Sequence, residues 1–318
     1  MFFAAFFIAF ARIYPKAARY ALFSGLIMAI SAALEDRIVY VNGEYVSARD
    51  ARISIFDRGF LFGDGIYEVT AVLDGKLVDN GPHMTRLRRS TGEIGIPMPM
   101  SEDEIVAIER ELIRRNNMVE GGVYLQITRG DGRDRDFVAK GLKPSVVMFT
   151  QAKPLVDKPE AKTGISVLSL DDLRWKRRDI KTVCLLPQAL AKEIAKNAGC
   201  DEAWMLEDGF VTEGASSTAY IVTEDDVIVT RPNSNATLPG CTRLSLLQLI
   251  AESGMKLEER LFTIDEAYAA KETFMTSAGT FVTPITTIDG KPIADGKVGP
   301  VARRLREIYI DHARRTAI

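Results

Sequence analysis

Apolar and polar residues alternate through RIVYVNGEYV, broken only at Asn42-Gly43, and this predicts a β-hairpin beginning near residue 37. A second alternating run, IYEVTAVLDGKLV, turns at Asp74-Gly75. The period then lengthens to that of a helix. Pro82 opens one with Met84, Leu87 and Ile94 on a single face, and Ser101 with Glu104 forms a capping box ahead of another carrying Ile105, Ile108 and Leu112. Two more apolar runs, GVYLQITRG and PSVVMFTQA, read as strands and close a first block near residue 151.

The stretch QAKPLVDKPEAKTG has two prolines, several charges and no periodicity, the composition of a linker between domains. After it, ISVLSL reads as a strand, and Pro187 suits the first turn of a helix that ends at Gly199 with Leu190 and Ile194 facing inward. EAWMLEDGFVTEG is a hairpin turning at Asp208-Gly209, and TAYIVTEDDVIVTR is another. Helices are expected at 242–253, at 263–271 with a Thr263/Glu266 capping box, and at 298–315. Both blocks mix antiparallel hairpins with helices, so the fold class is α+β rather than a doubly wound parallel sheet. The expected organisation is an N-terminal extension at 1–35, a small domain at 36–151, a linker at 152–164 and a larger domain at 165–318. No GxGxxG follows a strand and no Walker loop is present, which removes support for a nucleotide fold.

With 318 residues, 47% of them apolar and 26% charged, the chain is long enough for two cores and has the balance of a folded protein. A net charge of -2 from interspersed signs gives no general attraction to nucleic acid or anionic membrane. The short basic stretch at 174–178 reads as a solvated loop. Three cysteines without CxxC spacing and two histidines argue against a disulfide framework or a zinc site, so no metal is expected and a reducing, cytoplasmic location is. Neither His83 nor His312 sits in a nucleophile motif. Residues 1–35 differ from the rest, with two apolar blocks split by the basic 12–19; the block at 21–33 has the length of a signal-peptide core and is short for a membrane span. The stretch is read as lying upstream of a start at Met28, a targeting peptide or membrane anchor being the alternative.

Candidate chemistry gathers in the second block. Lys181 follows RWKRRD and precedes TVCLLP, where nearby positive charge and desolvation would both lower its pKa and leave some free amine to attack a carbonyl. A surface lysine keeping a loop solvated is the ordinary alternative. Glu213 ends a short strand at VTEG, where Gly214 allows close backbone approach; a carboxylate behind a flat heterocycle keeps its ring nitrogen protonated. Gly240, Cys241 and Thr242 stand directly ahead of a helix, Ser277, Ala278 and Gly279 form a second turn of small residues, and Arg86 lies on a helix whose other face is apolar. Each has a structural reading as a cap, a turn or a surface base. Together they supply what pyridoxal phosphate requires: a lysine, a ring-nitrogen carboxylate and a phosphate cup.

The motifs FDRGFLFGDGIYEV, HMTRL, VYLQITRGDGRDRDF, DLRWKRRDIKTVCLLPQALAK, DGFVTEGASSTAYIV, LPGCTR and FMTSAGTFVTPI occur in the order found in class IV aminotransferases, and roughly residues 37–318 resemble that family, nearest its D-amino-acid transaminase branch. The resemblance implies a two-domain fold type IV enzyme and, usually, a homodimer with sites completed at the subunit interface. It further implies that Lys181 carries the cofactor and shuttles the proton, that Glu213 partners the pyridine nitrogen, and that Arg86, Cys241, Thr242 and Ser277 hold the phosphate with Leu238 beside the ring. Ala278 stands where D-specific relatives often have threonine. Tyr67 and Arg133 match two of three carboxylate-binding residues, and Arg135 falls where a histidine is expected, in a loop one residue shorter than usual. The implied reaction is ping-pong transfer of an amino group from D-alanine or D-glutamate to a 2-oxo acid such as 2-oxoglutarate. An L-branched-chain aminotransferase, an (R)-amine transaminase, an aminodeoxychorismate lyase and a non-catalytic binding module remain open at this point.

Overall fold

Asn42 (φ 50°) and Gly43 (φ 107°) occupy the left-handed region and turn β1 (Ile38–Val41) back as β2 (Glu44–Ser47). The computed structural model describes residues 36–318; the stretch that carries the start-site or targeting reading lies outside the described residues. With β3 (Gly65–Leu73), β4 (Lys76–Leu77), β5 (Gly121–Thr128) and β6 (Ser145–Ala152), the hairpin builds an antiparallel sheet of order β2-β1-β6-β5-β3-β4. After the short helix α1 (Arg58–Phe62), helices α2 (Asn80–Glu93) and α3 (Glu102–Arg115) supply Met84, Leu87, Ile105 and Leu112 to a core shared with Leu125, Ile127 and Met148. The capping box at Ser101 forms with both halves in place. Helix α2 starts two residues before Pro82, behind a left-handed Asp79 whose side chain does not cap it. That carboxylate is engaged elsewhere, accepting from Ser245 Oγ at 2.8 Å and Tyr309 Oη at 2.6 Å.

The proline-rich connection is more ordered than its composition suggested. It contains a helical turn, α4 (Pro159–Thr163), and Leu155 is fully buried beside Phe281 and Tyr309, while Arg306 donates to the carbonyls of Leu155 and Val156.

The second sheet comprises β7 (Ile165–Asp171), β8 (Glu202–Glu207), β9 (Phe210–Gly214), β10 (Thr218–Val222), β11 (Val227–Thr230), β12 (Lys256–Glu259), β13 (Glu272–Ser277) and β14 (Phe281–Ile288), with β15 (Lys291–Pro292) on the edge of β14. Its order is β12-β11-β10-β13-β14-β7-β8-β9. The pairs β11/β12, β14/β7 and β7/β8 are parallel and the others antiparallel, so the fold is a mixed α and β architecture on two sheets. Helices α5 (Leu186–Asn197), α6 (Cys241–Glu252), α7 (Ile264–Tyr268) and α8 (Pro300–Thr316) complete it. Among the described residues no helix is long and apolar enough to cross a membrane.

Helix α5 turns the opposite way from expectation. Ala191 and Ala195 face inward against Ala203 and Met205, while Leu190 and Ile194 are 48% and 50% exposed. Small side chains let the helix lie close on β8, which leaves the larger ones, with Leu186, as a stripe at i, i+4 and i+8 on the outer face. Helix α7 keeps its Thr263/Glu266 capping box but ends at Tyr268, because the Lys271 N–H is taken by the Val222 carbonyl at the entry to β13. Helix α8 begins only at Pro300, where the Glu272 carboxylate accepts from the N–H groups of Val301 and Ala302.

Helix α3 also buries the carboxyl of Glu109 completely; Oε2 accepts from Asn80 Nδ2 at 2.9 Å. Burial pushes its pKa up to about 7, against the pull of His83 and Asn80. The folded protein therefore keeps a proton that the unfolded chain releases near 4.5, so stability falls as pH rises between those values. Glu109→Gln is expected to be more stable than the wild type at pH 8 by on the order of 2–3 kcal/mol. The difference should close toward pH 4.5 in urea titrations; a difference independent of pH would show that Glu109 is not the titrating group.

Candidate functional site

Between the two sheets lies a cavity of about 390 Å³. Lys181 reaches it from the segment linking β7 to α5. Its carbonyl accepts from the Tyr67 N–H at 3.0 Å, and its ammonium lies 4.1 Å from the centre of the Tyr67 ring. Asp179, two residues earlier, receives ion pairs from Arg89 and Arg177, which pin the segment against α2.

The basic stretch ahead of Lys181 is not the solvated loop its composition suggested. Arg174 and Arg178 are 9% and 4% exposed because acidic partners draw them inward. Arg174 donates Nε and Nη2 to Asp172 at 2.9 and 2.7 Å and Nη1 to Glu213. The Glu213 carboxylate also accepts from the Leu238 N–H, at 3.1 and 3.2 Å. Burial raises the Glu213 pKa while Arg174 and that N–H pull against it. The result is a buried carboxyl on the cavity wall that is already paired with Arg174.

Arg86 is held by a carboxylate that sequence reasoning missed. Nε and Nη2 donate to the two oxygens of Glu68 at 2.8 and 2.7 Å, and Nη1 donates to the Pro239 carbonyl at 2.8 Å. His83 Nδ1 donates to the same carboxylate at 2.7 Å. Burial would raise the Glu68 pKa, but the charge and hydrogen bonds of Arg86 and then of His83 bring it down to about 2. A signal existed: Ile66, Glu68 and Thr70 share the inward face of β3, so Glu68 is an acid in a core register, followed by a helix bearing His83 and Arg86. Glu68, His83 and Cys241 form the one cluster with metal-ligand chemistry among the described residues. Arg86 already occupies the carboxylate and repels a further cation, so the cluster organises the arginine.

Beside Arg86, α6 begins at Gly240 with no side-chain cap, leaving the N–H groups of its first turn, at Cys241 and Thr242, for an outside acceptor. A Cβ at position 240 would meet Thr218 Oγ1 at 3.0 Å and Arg243 Cβ at 3.2 Å. Glycine therefore keeps this approach open. Ser277 and Ala278, in the turn between β13 and β14, line the same cavity, as do Leu238 and Tyr67. Arg133 and Arg135 do not. They stand exposed on the loop after β5, where the Arg135 guanidinium lies 5.1 Å from the centre of the Phe137 ring and 5.6 Å from that of Phe62.

A primary amine, a buried carboxyl and an anion cup made of an arginine and a helix start fit a phosphorylated carbonyl compound with a basic ring nitrogen. That is the chemistry of enzymes that transfer amino groups. The chain belongs to the class IV aminotransferases, whose pattern matches residues 65–288. It is 38% identical over 272 residues to a D-alanine aminotransferase of Staphylococcus aureus (strain N315), covering 85% of this chain and 95% of that one. It is 39% identical over 270 residues to a D-alanine aminotransferase of Bacillus licheniformis, covering 84% and 94%. Among solved structures it resembles a T.th. branched-chain amino acid aminotransferase with pyridoxamine 5'-phosphate, with a TM-score of 0.80, 25% identity, and coverage of 88% of this chain and 95% of that one. The Escherichia coli branched-chain enzyme gives the same TM-score at 24% identity, covering 87% and 95%, and supports the fold alone.

Because the buried Glu68 carboxylate bonds both Arg86 and His83, Glu68→Gln is expected to lower stability by on the order of 3 kcal/mol in urea at pH 7. A loss under about 1 kcal/mol would mean that Arg86 and His83 find other partners or water.

Proposed function

We propose that the protein is a pyridoxal phosphate-dependent D-amino-acid transaminase that moves an amino group from D-alanine or D-glutamate to a 2-oxo acid such as 2-oxoglutarate, in a ping-pong cycle. The observation that carries this reading is the meeting in one cavity of the Lys181 amine, the Glu213 carboxyl and the Arg86/α6 anion cup. The D-alanine aminotransferase relatives support the choice of stereochemistry. Bound cofactor supplies the electron sink that accepts the pair left when the Cα–H bond breaks. Lys181 would hold the cofactor through its carbonyl carbon, and its amine, when free, would move the proton released at the substrate Cα. Glu213 holds a proton on the ring nitrogen, and Arg174 favours the ionised carboxylate this requires. Arg86, Ser277 and the first turn of α6, at Cys241 and Thr242, take the phosphate, Leu238 packs beside the ring, and Ala278 brings backbone without a hydroxyl.

Tyr67, Arg133 and Arg135 are assigned to the substrate carboxylate. Since the two arginines lie outside the cavity of their own chain, the proposal includes a homodimer in which each subunit's loop completes its partner's site. The outward stripe of Leu186, Leu190 and Ile194, with exposed Phe60 and Leu173, is apolar surface that a second copy would cover. Interspersed charges and three free cysteines favour a reducing cytoplasm.

The test begins with the visible spectrum of protein loaded with pyridoxal phosphate, followed during addition of D-alanine or L-leucine without any oxo acid. D-alanine should bleach the band of the lysine-linked cofactor and L-leucine should not; the reverse moves the protein to the branched-chain enzymes. Lys181→Ala should abolish turnover with either donor, and a binding module would keep its ligand affinity in that variant.

The shared site has its own test. Arg133→Ala and Lys181→Ala should each be inactive as homodimers. Co-refolded, they should regain activity, because half the sites of each mixed dimer are intact if Arg133 acts across the interface. No recovery in verified mixed dimers would return Arg133 to its own chain or to no role.

A further inference from the structure

On the cavity wall beside the turn between β13 and β14 are three lysines that the transamination chemistry leaves unused: Lys153, Lys158 and Lys192. Two are committed. Lys192 Nζ donates to buried Glu202 at 2.7 Å, and Lys158 Nζ donates to the Gly279 carbonyl at 3.3 Å. Lys153 has no side-chain hydrogen bond or ion pair among the described residues. Its Nζ lies 2.9 Å from where a Cβ on Gly279 would stand, so the ammonium rests against the turn. Partial burial, with the like charges of Lys158 and Lys192, lowers its pKa and adds to the demand for an anion.

The charge balance of the cavity points the same way. Among the described residues Glu213 is the one acidic side chain on its lining, and it is matched by Arg174. In the proposed reaction a phosphate falls to Arg86 and α6, and a substrate α-carboxylate to Tyr67 and the two loop arginines. Lys153 and Lys158, beside the turn between β13 and β14, are left without an acidic partner among the described residues. Ala278 packs against the apolar core formed with Phe281 and Tyr309 and offers no hydroxyl; with Ser277 given to the phosphate, the positive charge at this turn comes from Lys153 and Lys158.

We propose that Lys153, backed by Lys158, is a specificity-determining residue that binds the distal carboxylate of a dicarboxylic amino acid or 2-oxo acid against the Ala278-Gly279 turn. This rests on the transaminase reading and narrows its substrate class. The same ammonium chemistry would also suit the phosphate of the cofactor, and the test separates the two sources.

Wild-type, Lys153→Gln and Lys153→Arg proteins loaded with pyridoxal phosphate are titrated calorimetrically with glutarate and with valerate, which share a carbon count and differ by one carboxylate. Cofactor affinity is measured alongside, with kcat/KM for 2-oxoglutarate and for pyruvate. Lys153→Gln should weaken glutarate, and lower kcat/KM for 2-oxoglutarate, by about ten-fold or more. Valerate, pyruvate and cofactor affinity should stay within about two-fold, and Lys153→Arg should restore the preference. Equal weakening of glutarate and valerate overturns the proposal. So does a loss of cofactor affinity with the glutarate preference intact, which would make Lys153 a phosphate ligand. Glutarate binding needs no turnover, so the two readings fail separately. A protein that transaminates but binds glutarate equally well in both forms sinks the subsite alone; one that loses glutarate selectively yet never transaminates sinks the reaction and keeps the subsite.

Discussion

The carboxylate of Glu68 is the contact on which the cavity depends. It lies on the core face of β3, and its two oxygens draw in Arg86 and His83 from α2. Neutralised in this way, Arg86 can be buried and still extend Nη1 to the Pro239 carbonyl, just ahead of α6. A guanidinium without that partner would pull toward water, because an uncompensated buried charge costs several kcal/mol. Asp79 works in parallel from the start of α2, accepting from Ser245 on α6 and Tyr309 on α8. The two sheets are therefore joined at one edge of the cavity by directional polar bonds, which set their spacing and leave the first turn of α6 facing the interior.

Local chemistry that acts within a few residues was legible. The Asn-Gly and Asp-Gly turns need positive φ and adopt it, at Asn42-Gly43, Asp74-Gly75 and Asp208-Gly209. Both capping boxes form because each half bonds the other. What periodicity misjudged was decided by distant partners. Leu190 and Ile194 look like a core face, yet β8 accepts only the alanines at the available separation. The charged connection after β6 looks like a free linker, yet Leu155 fills a gap in the core of the other sheet.

The site was legible in the same uneven way. Lys181 and Glu213 stood out because each interrupts a local pattern, and Arg86 and the α6 start because anion cups have a recognisable composition. All four reach one cavity. Glu68 and Asp172 were missed because an acid inside an apolar strand or beside a basic run looks like ordinary surface until its partner is known. Arg174 was misread for the converse reason: its burial depends on Asp172 and Glu213, carboxylates that close only in three dimensions. Arg133 and Arg135 are readable as a motif, but a single chain does not bring them to the cavity, and no local pattern in the sequence says where a loop of exposed charges will sit.

The distribution of charge explains why such a site is stable before anything enters it. Arg86, Arg174, Arg178 and Lys192 each have an acidic partner, mostly on the far side from the cavity, so these four cations leave the wall positive in potential while being paired themselves. Lys181 is tempered differently, by the face of Tyr67, an interaction that a substrate can displace more readily than a carboxylate. The cations that hold the two sheets together are thus paired with acids, whereas the Lys181 ammonium meets an aromatic face and stays open to an incoming group.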